Sequence, residues 1–158
     1  MQNLSHIIFG NYILTVSLFA WTVAQLLKTV INTVLCGRFQ AERLWGAGGM
    51  PSSHSAVTCS VLLTSYLIYG FSSPIFAMAF VLALIVMYDA TGVRWAAGLH
   101  AKAINYIVEY LGDENAKDKD QLKEMIPKLN ESLGHRMIEV VCGALLGFVI
   151  SLIGYFCF

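Results

Sequence analysis

Three long stretches of the chain carry no charged side chain, and their lengths suit membrane-spanning helices. Residues 1–27, 44–88 and 140–158 contain no Asp, Glu, Lys or Arg. A helix needs about 20 apolar residues to cross the hydrocarbon core of a bilayer. The middle stretch is long enough for two helices, and Gly70 and Pro74 indicate a turn within it. The pattern therefore predicts four spans, at about residues 7–27, 51–71, 74–90 and 137–157.

The segment between the third and fourth spans, about residues 93–134, is polar but still shows helical periodicity. Its first part, residues 93–111, is predicted to be helical, and a charged run over residues 113–120 follows. Apolar residues then recur at helical spacing, which predicts an amphipathic helix, kinked at Pro127, on the membrane surface or on the bundle. Those apolar residues are Leu122, Met125, Ile126, Leu129 and Leu133.

The pattern as a whole predicts an all-α fold. It indicates an integral membrane four-helix bundle that forms a single domain over residues 1–158, with a cytoplasmic amphipathic helical excursion between spans three and four. The absence of Lys and Arg ahead of the first apolar run argues against a cleaved signal peptide, so we expect that run to be a permanent helix.

Composition agrees with a lipid environment. The chain is 57% hydrophobic and 13% charged, whereas soluble domains carry about 25% charged residues. The net charge of zero argues against nucleic acid as a partner. The cysteines form no C-x-x-C pair, so we interpret them as small apolar fillers without a metal or a disulfide; they are Cys36, Cys59, Cys142 and Cys157.

Small residues recur every fourth position in the fourth predicted span, at Gly143, Gly147 and Ser151. Such a stripe lets helices pack closely in lipid. We interpret it as structural, and the same face is a candidate surface for a homo-oligomer.

Four polar clusters border the predicted spans and supply the candidate chemistry. Lys28 follows the first apolar run and is either a headgroup anchor or a phosphate ligand. Gly48 to Ser55 combines two glycines, Pro51, and Ser52 and Ser53 ahead of His54. Free N–H groups and the helix dipole make such a helix start an anion site, with His54 facing the anion, although a simple capped helix start is the alternative.

Asp89 and Arg94 end the third span and either pair with each other or present a guanidinium fork to phosphate. His135 and Glu139 lie one helical turn apart, so the carboxylate can hold one imidazole nitrogen and aim the other, as at a nucleophilic site. A capped helix with an ion pair is the alternative.

The chain has no H-x-x-x-H or H-E-x-x-H motif, so zinc is not expected, and neither is any other metal or cofactor.

Three blocks of sequence resemble the divergent branch of the type 2 phosphatidic acid phosphatase superfamily, whose members are related to acid phosphatases and vanadium haloperoxidases. The blocks are Gly49-Met-Pro-Ser-Ser-His-Ser55, Asp89-Ala-Thr-Gly-Val-Arg94 and Gly134-His-Arg-Met-Ile-Glu-Val140. The resemblance extends from about Ala24 to Gly147. It departs from the main superfamily pattern at Ser53, where glycine is usual, and at Glu139, where aspartate is usual; the usual Arg just before His135 is also absent.

The resemblance implies a membrane-bound lipid phosphatase that works through a phosphohistidine. His135 would attack phosphorus, Glu139 would orient it and His54 would protonate the leaving oxygen. The phosphate oxygens would be held by a set of cations, hydroxyls and backbone groups, namely Lys28, Arg94, Ser52, Ser53 and Gly49. Asp89 would support this set. The implied substrates are phosphatidylglycerol phosphate, phosphatidic acid or a polyprenyl phosphate.

His100 is the rival nucleophile, because Arg94 and His100 have the Arg-to-His spacing of the superfamily's third motif. Ile104 stands where that motif needs an acid, whereas His135 has Glu139. We therefore expect His135 to be the nucleophile.

The alternatives to an enzyme are a non-catalytic membrane protein that binds lipid phosphate or a partner, and, less favoured, a small transporter.

The distribution of positive charge predicts the orientation in the cell membrane. All ten Lys and Arg fall in residues 28–43 and 94–136. Four spans place both segments on one side, and positive charge near span ends is retained in the cytoplasm. The multi-pass protein is therefore expected to direct its active site to the cytoplasm, with both termini outside.

Overall fold

The computed structural model describes residues 10–37, 39, 48–111, 126–131 and 133–157. These residues form five α-helices and no β-strand. The all-α class predicted from the sequence is confirmed. In chain order the helices are α1 (Tyr12–Cys36), α2 (Ser53–Tyr69), α3 (Pro74–Thr91), α4 (Val93–Leu111) and α5 (Met137–Cys157).

Short polar side chains begin the first three helices. Asn11 Oδ1 accepts a hydrogen bond from the Leu14 N–H at 3.2 Å, so it caps α1. Ser52 caps α2, and Ser73 caps α3 by accepting from the Ile75 N–H at 3.2 Å. Each cap satisfies an N–H group that has no partner within its helix.

Helix α2 is the central element and packs against α1, α3 and α5. Its buried face consists of small residues, most of them hydroxylated, which allow the neighbouring helices to approach closely. The buried residues are Ser53, Ser55, Ala56, Thr58, Cys59, Ser60, Thr64 and Ser65.

The Gly143, Gly147 and Ser151 stripe of α5 faces α2. A Cβ atom at Gly143 would collide with the Ser52 carbonyl, and one at Gly147 would collide with the Ala56 carbonyl. The Ser151 hydroxyl lies 3.0 Å from the Ser60 carbonyl. The stripe is therefore a contact surface within the chain, and a homo-oligomer through the same three residues would have to displace α2.

Three segments of the described chain are long and apolar enough to cross a membrane: Tyr12–Cys36, Pro74–Glu109 and Met137–Cys157. The predicted spans at 74–90 and 137–157 coincide with α3 and α5. Helix α2 corresponds to the predicted span at 51–71, but it has only 17 residues and is rich in Ser and Thr. Because these residues are buried between helices, α2 is less apolar than a helix that faces lipid.

The first helix extends further than predicted. The sequence places its end near Leu27, whereas α1 continues to Cys36 and terminates at Gly37, which has φ of 67°. The charge of Lys28 does not end the helix because its side chain is directed into the protein and is only 2% exposed. The predicted start at residue 7 lies outside the described residues.

The amphipathic helix predicted over residues 122–133 is wrong where the structure describes it, because residues 126–131 and 133 are not helical. The Asn105 side chain of α4 forms hydrogen bonds with both backbone groups of Leu129. Asn105 Nδ2 donates to the Leu129 carbonyl at 2.9 Å, and the Leu129 N–H donates to Asn105 Oδ1 at 3.0 Å. Pro127 also lacks the N–H that a helix needs. Residues 122–125 lie outside the described residues.

Candidate active site

The His135 imidazole is fixed by a carboxylate four residues further along the chain, in the first turn of α5. His135 Nδ1 lies 2.9 Å from Glu139 Oε2, and the His135 side chain is only 4% exposed. Glu139 Oε2 also accepts a hydrogen bond from the Arg136 N–H at 3.3 Å. With Nδ1 bound to the carboxylate, Nε2 is the ring nitrogen left for chemistry, as the spacing of the two residues predicts.

The backbone around His135 is held by two other helices. The His135 N–H donates to the Ala90 carbonyl of α3 at 3.0 Å. Gly134 has φ of 79°, and a Cβ there would collide with the backbone of Trp95 and Arg94 at the start of α4. Glycine is required at this position because both the backbone conformation and the close approach exclude a side chain.

The start of α2 is bonded directly to the start of α5, since the Ser52 N–H donates to the Glu139 carbonyl at 3.0 Å. This bond brings His54, in the first turn of α2, near His135. The two imidazole ring centroids are 6.3 Å apart, with the planes at 62°. His54 is exposed, whereas His135 is buried, so a small group could lie between them and be reached from outside.

A cavity of about 80 Å³ separates these two histidines from the end of α3 and the start of α4. Asp89 and Arg94 form an ion pair at its wall, so the carboxylate aims the guanidinium. The Arg94 guanidinium thus shares this space with the imidazole rings of His54 and His135. The cavity is therefore suited to an anion. It is lined by His54, Val86, Asp89, Ala90, Arg94, Gly134 and His135.

Lys28 lines a neighbouring cavity of about 180 Å³ and not the one between the histidines. A Cβ atom at Gly49 would meet Lys28 Cγ at 3.5 Å, so the lysine stem passes directly over the glycine. Glu139 borders this second cavity and bonds His135, which lines the first. The interface anchor considered for Lys28 is wrong, because a snorkelling lysine would be exposed.

Ser52 and Ser53 are buried at the start of α2, with 0% and 3% exposure. Ser52 Oγ accepts hydrogen bonds from the Ser55 N–H at 3.4 Å and from the Ser55 hydroxyl at 3.1 Å. The helix begins at Ser53, two residues after the predicted start at 51, so Pro51 precedes the cap. In this arrangement Ser52 shapes the site through its backbone and its cap.

The family model that matches residues 9–150 is described as the divergent PAP2 family. It covers most of the 158 residues and includes every candidate site residue. The chain belongs to this family. The resemblance drawn from its three sequence blocks is thereby confirmed.

One relative in this comparison is a membrane protein of Bacillus subtilis (strain 168) called "Uncharacterized membrane protein YuiD". It is 37% identical over 147 residues, which cover 90% of this chain and 93% of that protein. Together with the three long apolar segments, this similarity identifies the chain as a membrane protein. No solved structure matches the chain significantly.

The structure separates the two candidate nucleophiles. His100 is exposed on α4, about 9 Å along the helix from Arg94 at 1.5 Å per residue, while His135 lines the cavity beside Arg94. Sequence reasoning missed Asn32, which lines the cavity with Lys28. Its position four residues after Lys28, on the same helix face, was the available signal.

Proposed function

We propose that this protein is a phosphatase that hydrolyses a lipid phosphomonoester at the membrane surface through a phosphohistidine. The observation that carries the proposal is the buried His135, whose Nδ1 is held by Glu139 and whose ring lines one cavity with His54 and Arg94. A fixed imidazole, a second imidazole and a guanidinium around one small space form the minimum set for phosphoryl transfer.

In the first step, His135 Nε2 attacks phosphorus, a P–N bond forms and the P–O bond to the lipid alcohol breaks. His54 donates its proton to the leaving oxygen. Glu139 stabilises the positive charge that develops on the His135 ring. In the second step, water attacks phosphorus and gives a proton to His54, the P–N bond breaks, and inorganic phosphate leaves.

The protein supplies the positive charge that balances the phosphate. Arg94, aimed by Asp89, faces the reacting group, while Lys28 and the backbone N–H groups near Gly49 approach from the second cavity. Ser52 and Ser53 complete the start of α2. Fixed donors of this kind stabilise the charge on the equatorial oxygens, and we expect catalysis to proceed without a divalent metal.

The membrane setting favours a lipid substrate. Helices α1, α3 and α5 carry large exposed apolar side chains, so a substrate held in the bilayer can present its phosphate at the helix ends. Phosphatidylglycerol phosphate, phosphatidic acid and polyprenyl phosphates share this geometry. The charge distribution directs the site to the cytoplasmic face of the cell membrane.

The decisive experiment measures phosphate release by the purified protein from mixed micelles that contain each of these lipids. We expect release that resists excess chelator, is inhibited by orthovanadate and is lost in His135→Ala. Lipid binding without phosphate release would instead identify a non-catalytic phosphate-binding protein. Activity abolished by chelator and restored by magnesium would refute the metal-free mechanism.

Orientation has a separate test, impermeant thiol labelling of intact cells in a cysteine-free background. Lys128 belongs to the predicted cytoplasmic segment, and Ser72 lies in the turn between α2 and α3. A cysteine at Ser72 should react and one at Lys128 should stay unlabelled. The reverse pattern would place the site outside the cell.

A further inference from the structure

The cavity that contains Lys28 also contains an amide whose donor is unused. Asn32 Nδ2 is buried and has no hydrogen-bond partner among the described residues. Its carbonyl oxygen, in contrast, accepts a weak hydrogen bond from the Cys36 thiol at 3.6 Å. A buried N–H without an acceptor is costly, so such a group needs an explanation.

The surroundings of Asn32 indicate what the missing acceptor is. The cavity measures about 180 Å³. It combines the cation Lys28 with Gly48 and Gly49, whose φ values of 81° and 85° strongly favour glycine. Apolar side chains complete the wall: Ile31, Leu35 and Met50. One cation and one amide donor beside an apolar wall suit the polar head of a lipid that bears an oxygen anion.

The cavity is joined to the proposed reaction centre through Glu139, which lines it and also bonds His135 Nδ1. Glu139 therefore connects the cavity beside Asn32 to the His135 ring. Asn32 reaches this space because it lies one helical turn beyond Lys28 on α1.

We infer that Asn32 is a substrate-binding residue: its Nδ2 group donates a hydrogen bond to an acceptor oxygen on the phosphate-bearing head of the lipid, beside Lys28. This inference rests on the proposed function and adds a residue to it. The acceptor is either a phosphoryl oxygen or an oxygen of the group that links the phosphate to the lipid tail, and the two share the same chemistry.

The test compares Asn32→Leu, which removes the donor at nearly constant size, with Thr33→Val. Thr33 is the neighbouring residue, and its hydroxyl bonds the Thr29 carbonyl of its own helix at 2.8 Å. We expect Asn32→Leu to raise KM by about tenfold, the size of one hydrogen bond to a charged group, with kcat changed much less. Thr33→Val should match the wild type.

Two further measurements complete the experiment. If the acceptor is a phosphoryl oxygen, Asn32→Leu should also weaken inhibition by orthovanadate; if it is a linker oxygen, inhibition should stay at the wild-type level while KM rises. Binding of a non-hydrolysable lipid phosphonate is measured in parallel, so that a wild-type protein without phosphatase activity refutes the proposed function and still tests Asn32. Wild-type KM and phosphonate affinity in Asn32→Leu would overturn the inference, as would equal losses in Thr33→Val.

Discussion

Helices α2 and α3 are neighbours of nearly equal length with opposite surroundings. Helix α2 is enclosed by α1, α3 and α5 and buries a face of Ser, Thr and Ala. Helix α3 buries only Ala79, Ala83 and Ala90, while large side chains such as Leu84 and Ile85 are more than half exposed. The more apolar helix therefore lies outside and the more polar helix lies inside.

This inversion has a physical reason. Lipid tails are as apolar as leucine, so burying leucine between helices gains little in a bilayer, whereas small residues allow close backbone packing. The same close packing brings the starts of α2 and α5 within hydrogen-bonding distance, from Ser52 to Glu139. The more polar helix of this pair thus carries His54 and aligns the site.

The largest expected contrast is between a buried and an exposed histidine. His135→Gln should lower phosphate release by about a thousandfold or more, because the proposed nucleophile is removed. His100→Gln changes an exposed side chain on α4, and its activity should stay within about twofold of the wild type. Both proteins are assayed in detergent on the preferred lipid. A greater loss in His100→Gln would move the nucleophile to α4.

The next contrast concerns the two faces of α5. Gly147→Leu places a side chain where a Cβ already collides with the Ala56 carbonyl, so overpacking should cost about 3 kcal/mol of stability. Val149→Leu enlarges a half-exposed residue on the same helix and should be nearly neutral. Thermal unfolding in detergent measures both. Equal melting temperatures would show that α2 and α5 do not pack as described.

The all-α class and the positions of α3 and α5 could be predicted because uncharged runs and a Gly–Pro turn are local signals. The end of α1 could not, since a lysine after an apolar run normally indicates an interface, and only the fold shows Lys28 buried over Gly49. The non-helical backbone near Leu129 depends on Asn105, which lies 24 residues away. A contact at that separation leaves no trace in periodicity.

The candidate site likewise has parts that could be predicted from the sequence and parts that could not. The spacing of four residues predicts the pairing of His135 with Glu139, although His135 itself precedes the first residue of α5. The sequence places His54 and His135 at span ends on the same side of the membrane, but their approach depends on how α2 meets α5. The sequence shows Asn32 four residues after Lys28, but only the structure shows that its amide donor is buried without a partner among the described residues.

A variant of Glu139, at the start of α5, tests whether this carboxylate acts by orienting the His135 ring. Glu139→Gln keeps the size of the side chain and removes the charge that stabilises the His135 imidazolium. Activity should fall by about a hundredfold, less than on loss of the histidine itself. The single-turnover rate of phosphate release measures it, with the melting temperature as the control for folding. Wild-type activity would reduce Glu139 to a helix-capping role.

The smallest expected effect decides whether the hydroxyls of α2 matter for their polarity or only for their size. The Thr64 hydroxyl donates to Ser151 Oγ at 3.1 Å, and both residues are fully buried between α2 and α5. Hydrogen bonds between membrane helices contribute on average about 0.6 kcal/mol. A double-mutant cycle with Thr64→Val and Ser151→Ala, followed by reversible unfolding in detergent, should therefore give a coupling energy of about that size.

Val keeps the volume of Thr, so a small coupling with little change in stability would mean that α2 is polar mainly because small residues pack closely. A coupling above about 2 kcal/mol, beyond the usual range for such bonds, would instead make the hydroxyl contacts a principal source of stability and reverse this interpretation of the two helices.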